Sequence, residues 1–114
     1  MLSAGSGAIS ITGDLDSATG QNYSLTLTST GDVTISGTIG GTQPIGGLAI
    51  TGNDISLGNI GGANVGATVN VFVQASDLSA DNASIALTGT TYNTTGQQFY
   101  NSSAVAGYLS LIHI

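Results

Sequence analysis

An eleven-residue stretch of this chain recurs, and the interval at which it recurs constrains the fold more than any single residue does. Gly31-Asp32-Val33-Thr34-Ile35-Ser36-Gly37-Thr38-Ile39-Gly40-Gly41 matches Gly52-Asn53-Asp54-Ile55-Ser56-Leu57-Gly58-Asn59-Ile60-Gly61-Gly62 at an offset of 21 residues. Gly7-Ala8-Ile9-Ser10-Ile11-Thr12-Gly13-Asp14-Leu15 matches the start of the first copy at an offset of 24, and Ser84-Ile85-Ala86-Leu87-Thr88-Gly89 is a looser copy after a longer interval. A fixed period in the low twenties is the signature of a unit too small to bury its own apolar face, which therefore stacks on its neighbours.

Each unit alternates apolar and small polar residues, the period of a half-buried strand. The clearest runs are Ala8–Thr12, Tyr23–Thr28, Val33–Ser36, Leu48–Thr51, Asn70–Gln74 and Ser84–Thr88. Gly13-Asp14, Gly31-Asp32, Gly40-Gly41, Gly46-Gly47, Gly52-Asn53 and Gly61-Gly62 break them apart, and glycine supplies positive φ at such corners. No window carries a 3.6-residue apolar stripe, so the chain is expected to be all-β and free of helix. Within the second copy the apolar phase slips by one residue, which a β-bulge would absorb. The stretch from Asn64 to Asp81 follows the pattern poorly and reads as a divergent or loop-bearing turn. One turn of a β-solenoid fits these spacings. An antiparallel β-sandwich is the alternative, but it requires no repeat at a fixed interval.

Composition narrows the chemistry. The 114 residues contain no Lys, Arg, Glu, Cys or Trp, and the net charge of −6 comes entirely from Asp. With no cation to displace counterions from a phosphate backbone, nucleic acid is excluded as a partner. An anionic membrane surface is disfavoured for the same reason. The absence of Cys removes disulfides and thiolate metal sites. No stretch reaches the length of a transmembrane helix, and Met1-Leu2-Ser3-Ala4-Gly5 has neither the basic nor the apolar region of a signal peptide.

Two further stretches resemble a known group. Gly37-Thr38-Ile39-Gly40-Gly41-Thr42-Gln43-Pro44-Ile45-Gly46-Gly47-Leu48 and Thr88-Gly89-Thr90-Thr91-Tyr92-Asn93-Thr94-Thr95-Gly96-Gln97-Gln98-Phe99-Tyr100-Asn101 resemble paired units of giant bacterial surface proteins, the filamentous-haemagglutinin-like adhesins and their β-strand-repeat relatives. The resemblance covers about half the chain. It implies a right-handed parallel β-helix, secreted or displayed at the cell surface in association with a Gram-negative outer membrane. It also implies a structural stalk segment without catalytic activity. Host or surface glycans or proteins would then be met through other regions of the parent protein, and this segment would insert in no membrane. Residues 1–108 read as the solenoid segment, a fragment of something larger. Leu109-Ser110-Leu111-Ile112-His113-Ile114 resembles a translated sequencing-library adapter and is set apart from it.

Candidate chemistry is thin, and no catalytic, cofactor-binding or metal-ligating residue is assigned. His113 stands in the suspect tail with no carboxylate beside it in sequence. Asp14 and Asp16 form a D-x-D pair, but calcium takes six to eight oxygens, so they read as solvated turn residues. Paired-carboxylate glycoside hydrolysis is possible only across turns. Gly40-Gly41 and Gly61-Gly62 precede no Lys and open no helix, so they are corners and not phosphate cradles. Asn22-Tyr23-Ser24, Asn82-Ala83-Ser84, Asn93-Thr94-Thr95 and Asn101-Ser102-Ser103 match a glycosylation pattern that arises by chance in so Asn- and Thr-rich a chain. Tyr92, Phe99 and Tyr100 either stack on a sugar or pack in and over the core. The alternative functions are therefore an ice-binding or a carbohydrate-binding solenoid. Ice binding needs a T-x-T at one position of successive turns, which Thr26-Leu27-Thr28 begins and Ser10, Thr34 and Ser56 do not continue.

Overall fold

Short alternating strands cannot bury their apolar side alone, and here they do so by coiling. The computed structural model describes residues 1–75 and 85–102, and among these every regular element is a strand. The strands are β1 (Leu2–Ser3), β2 (Ile9–Ile11), β3 (Leu25–Thr28), β4 (Val33–Ile35), β5 (Leu48–Gly52), β6 (Ile55–Leu57), β7 (Val71–Ala75), β8 (Ile85–Leu87) and β9 (Gln98–Ser102). Odd-numbered strands form one sheet in the order β1-β3-β5-β7-β9, and even-numbered strands form a second, β2-β4-β6-β8. Every pairing is parallel. The chain is a parallel β-solenoid, and the antiparallel sandwich is excluded. Parallel bridges through Leu15, Ile39, Ile60 and Tyr92, and through Ile45, Ala67 and Thr94, continue the winding between the sheets.

The register builds columns. Leu25, Leu48 and Val71 lie one above another, as do Leu27, Ile50 and Val73 in the same sheet. Ile11, Ile35, Leu57 and Leu87 form a matching column in the second sheet. Ile35, Ile50, Leu57, Ile60 and Val73 are wholly buried. Side chains of similar size fall at the same inward position on each turn, so aliphatic surface is buried continuously along the axis.

The period is not constant. Val33 pairs with Ile55, an interval of 22, whereas Ile39 pairs with Ile60, an interval of 21. The phase slip is therefore no strand bulge, because β4 and β6 pair residue for residue. The second copy instead carries one extra residue in its Gly52-Asn53-Asp54 corner and lacks one after the strand. Asp32 accommodates the longer corner: its Oδ1 accepts from Asn53 Nδ2 and from Asp54 N, both at 3.2 Å. The interval lengthens to 30 between Ile55 and Ile85. Within Asn64 to Asp81, β7 pairs with β5 along its whole length, so that part is a regular turn.

Glycine acts at the corners in two ways. Gly40 and Gly61, equivalent in the repeat, have φ of 68° and 74°, as the reading of the corners requires. Gly13, Gly31 and Gly52 do not share that conformation. Crowding dominates elsewhere: a Cβ on Gly58 would lie 2.8 Å from the Gly37 carbonyl oxygen of the turn below.

Candidate functional site

The sequence candidates separate cleanly by position. His113 and Asn82 lie outside the described residues. Asp14 and Asp16 are exposed, and their carboxylates are engaged by backbone of the next turn. Asp14 Oδ1 accepts from Thr38 N at 2.8 Å, and Asp16 Oδ1 accepts from Thr42 N at 2.9 Å and Gln43 N at 3.1 Å. They are corner acceptors, more specifically placed than merely solvated turn residues. Among the described residues, no group of three or more His, Cys, Asp or Glu gathers where a metal ion could sit. Gly40 and Gly61 donate their N–H groups to Leu15 and Ile39 carbonyls, so those amides serve the winding and no anion.

The aromatic candidates divide in two. Tyr92 and Tyr100 enter the core, 3% and 6% exposed, and meet edge to face with centroids 6.4 Å apart. The Tyr92 hydroxyl donates to the Leu57 carbonyl at 2.9 Å and accepts from Gly89 N at 2.8 Å. The Tyr100 hydroxyl donates to Gln98 Oε1 at 2.7 Å. Burial pushes the Tyr92 phenol above its ordinary value, against a lesser opposing pull from the Gly89 hydrogen bond. Burial also pushes Tyr100 strongly upward, with the proximity of Tyr92 adding to it. These two rings serve packing.

Phe99 does the opposite. It is 52% exposed and stacks on Phe72, itself 42% exposed, with ring centroids 5.3 Å apart and planes within 2°. Register places them directly: Phe72 pairs with Phe99 between β7 and β9, and Ala49 and Thr26 precede them in the same outward column. Phe72 was not among the sequence candidates. Its signal was its outward parity in the Val71-Phe72-Val73 run, where an apolar residue breaks the alternation.

On the same sheet face an open groove of about 270 Å³ is walled by Ser24 and Thr26 on one turn and by Val69 and Asn70 two turns on; the rings do not line it, but Ala49, which does, is the register neighbour of Phe72. Its floor is Gly47 and Ala49, bare backbone and a single methyl group, which leave the space between the walls unfilled. Ser24 Oγ accepts from Gly47 N at 2.9 Å, and Asn70 Oδ1 accepts from Gln97 N at 2.9 Å. The outward positions of this sheet, Thr26, Thr28, Ala49, Thr51, Phe72, Gln74, Phe99 and Asn101, include no charged residue. The groove offers the hydroxyls of Ser24 and Thr26 and the amide of Asn70, and its lining residues include no carboxylate, imidazole or thiol. Comparison with protein-family models, with curated proteins and with solved structures found no match to this chain.

Proposed function

We propose that this chain is a structural stalk segment of a secreted or surface-displayed bacterial adhesin and carries no catalytic activity of its own. One observation supports the reading above the rest. The inward columns stay in register from turn to turn through intervals of 21 to 32 residues. Such a lattice accepts further turns without redesign, each adding about 4.8 Å of rod. Length and stiffness are then the product of the fold, and the host or surface receptors that make the parent protein an adhesin are met through its other regions. Localisation at the cell surface, associated with a Gram-negative outer membrane, follows from the resemblance of the two repeat units.

Recovery of the flanking coding sequence tests this. The expected result is further copies of the Gly-bounded repeat on at least one side, with a secretion domain in the same reading frame. A complete reading frame of about this length, with neither feature, would overturn the proposal. The ice-binding alternative gains nothing from the register. Thr28 and Thr51 are succeeded in their column by Gln74 and Asn101, and Thr26 by Ala49 and Phe72, so the T-x-T motif is not repeated.

A further inference from the structure

The outward side of the five-stranded sheet combines three properties. It is uncharged, it carries an exposed aromatic stack, and a groove opens on the same face. We propose that the groove over Gly47 and Ala49, together with the ring of Phe72 that stands next to Ala49 in the register, binds a short stretch of a neutral oligosaccharide. The site does not rest on the stalk reading, since it is a property of this face whatever the parent protein does.

Geometry sets the occupant's size. β3 and β7 lie two strand spacings apart, about 9.6 Å, and the small floor residues of β5 leave that width open. The whole face measures about 19 Å across five strands and about 16 Å along a five-residue strand, or roughly 300 Å². A stable protein partner covers about 800 Å² on each side, so a second copy of the chain or another folded protein is too large a fit for so small a patch. A chain of one or two sugar rings matches it.

Chemistry sets the occupant's class. Phe99 covers one face of Phe72, so the other face of Phe72 turns toward Ala49, whose methyl group does not cover it. A pyranose presents a row of C–H groups with partial positive charge, which pack on the electron-rich face of an aromatic ring. Polar groups stand along the walls. Asn70 commits its Oδ1 to Gln97 N, while its Nδ2 and the Thr26 hydroxyl make no hydrogen bond among the described residues. A few directed polar groups around an apolar surface are the usual make-up of a small-ligand site. Uronate-rich or sulfated polymers do not suit it, because the chain has no Lys or Arg to neutralise them and its six carboxylates repel them.

The test is saturation-transfer NMR on the full chain, with cellohexaose and laminarihexaose as neutral probes and hexagalacturonate as the anionic one. Saturation is expected to reach the ring C–H protons of at least one neutral probe and not those of hexagalacturonate. Phe72→Ala is expected to weaken binding by about threefold to tenfold, the range of one aromatic contact. Ala49→Phe, at an outward position where it extends the existing stack, is expected to abolish binding by filling the groove while the circular-dichroism spectrum stays that of the parent. The proposal is overturned by no transfer to either neutral probe, by equal transfer to hexagalacturonate, or by undiminished binding in a folded Ala49→Phe protein.

Discussion

Tyr92→Phe removes one oxygen atom, and the structure assigns its cost. The phenol serves two backbone groups, the Leu57 carbonyl and the Gly89 N–H. Leu57 O loses little, because it also accepts from Thr88 N at 2.8 Å and Thr88 Oγ1 at 3.0 Å. Gly89 N, half-buried, loses the partner it has among the described residues. Leaving such a donor unsatisfied costs about 1–3 kcal/mol, partly offset by the easier burial of a Phe ring. The net expectation is a destabilisation of about 1–2 kcal/mol, or a melting temperature lower by about 4–8 °C for a chain of this size. Tyr100→Phe is the internal control. Among the described residues its hydroxyl meets Gln98 Oε1 alone, on a partly exposed side chain that water reaches, so its expected loss is within about 0.5 kcal/mol. Both variants keep the ring and the edge-to-face contact. Urea melts followed by circular dichroism, with equal slopes, give the comparison. If the two variants melt alike, or if Tyr100→Phe is the less stable, the Gly89–Tyr92–Leu57 staple is not what holds the last turn.

Alkali is expected to unfold the protein. Both buried tyrosines have folded-state values raised above the ordinary 10, so their contribution is intact below about pH 10 and is lost as pH rises beyond it, by at most about 1.4 kcal/mol per pH unit for each; melting temperatures from pH 8 to 12, flattened in the double Phe variant, check this. Ile35→Ala empties the middle of a column between Ile11 and Leu57 and is expected to cost about 2–5 kcal/mol, whereas Ile11→Ala, at the partly exposed start of that column, costs less; chemical denaturation ranks them. Asp16→Asn keeps an oxygen for the Thr42 and Gln43 amides and is expected to melt with the parent, while Asp16→Ala melts lower, by differential scanning calorimetry.

The interior of the solenoid was legible because it repeats. Six alternating runs predicted strands, and all six contain one: β5 and β7 run one residue further than their runs, to Gly52 and Ala75, while β2, β3 and β4 are shorter. Tyr23 and Ser24, for instance, fall outside β3, and Ser24 Oγ caps Gly47 N instead. β1 was missed because two residues, Leu2 and Ser3, carry no period. β9 was missed because its inward residues, Gln98 and Tyr100, are not aliphatic, so the alternation of Gln98–Ser102 does not register as a buried strand. The candidate site was hidden for a different reason. Phe72 and Phe99 stand 27 residues apart, while the two turns of that sheet before them are spaced by 23, and only the register of β7 on β9 brings the rings together.

The acidic composition follows from the same geometry. A parallel winding leaves backbone N–H groups at each corner that no strand partner reaches, and they need an acceptor. Asp14 and Asp16 supply it to the turn above through Oδ1, as does Asp32. In later turns the acceptor is Asn. Asn59 Oδ1 accepts from Thr90 N at 2.7 Å and Thr91 N at 3.0 Å, and Asn70 Oδ1 accepts from Gln97 N. What the corner requires is therefore an oxygen on a short side chain, and a negative charge is incidental to it. In each of these pairs the acceptor stands on the earlier turn and the donor on the later one, so a completed turn presents acceptors to the chain that winds onto it. Asp and Asn being interchangeable for the winding, the choice of Asp is free to serve solubility through the mutual repulsion of like-charged molecules.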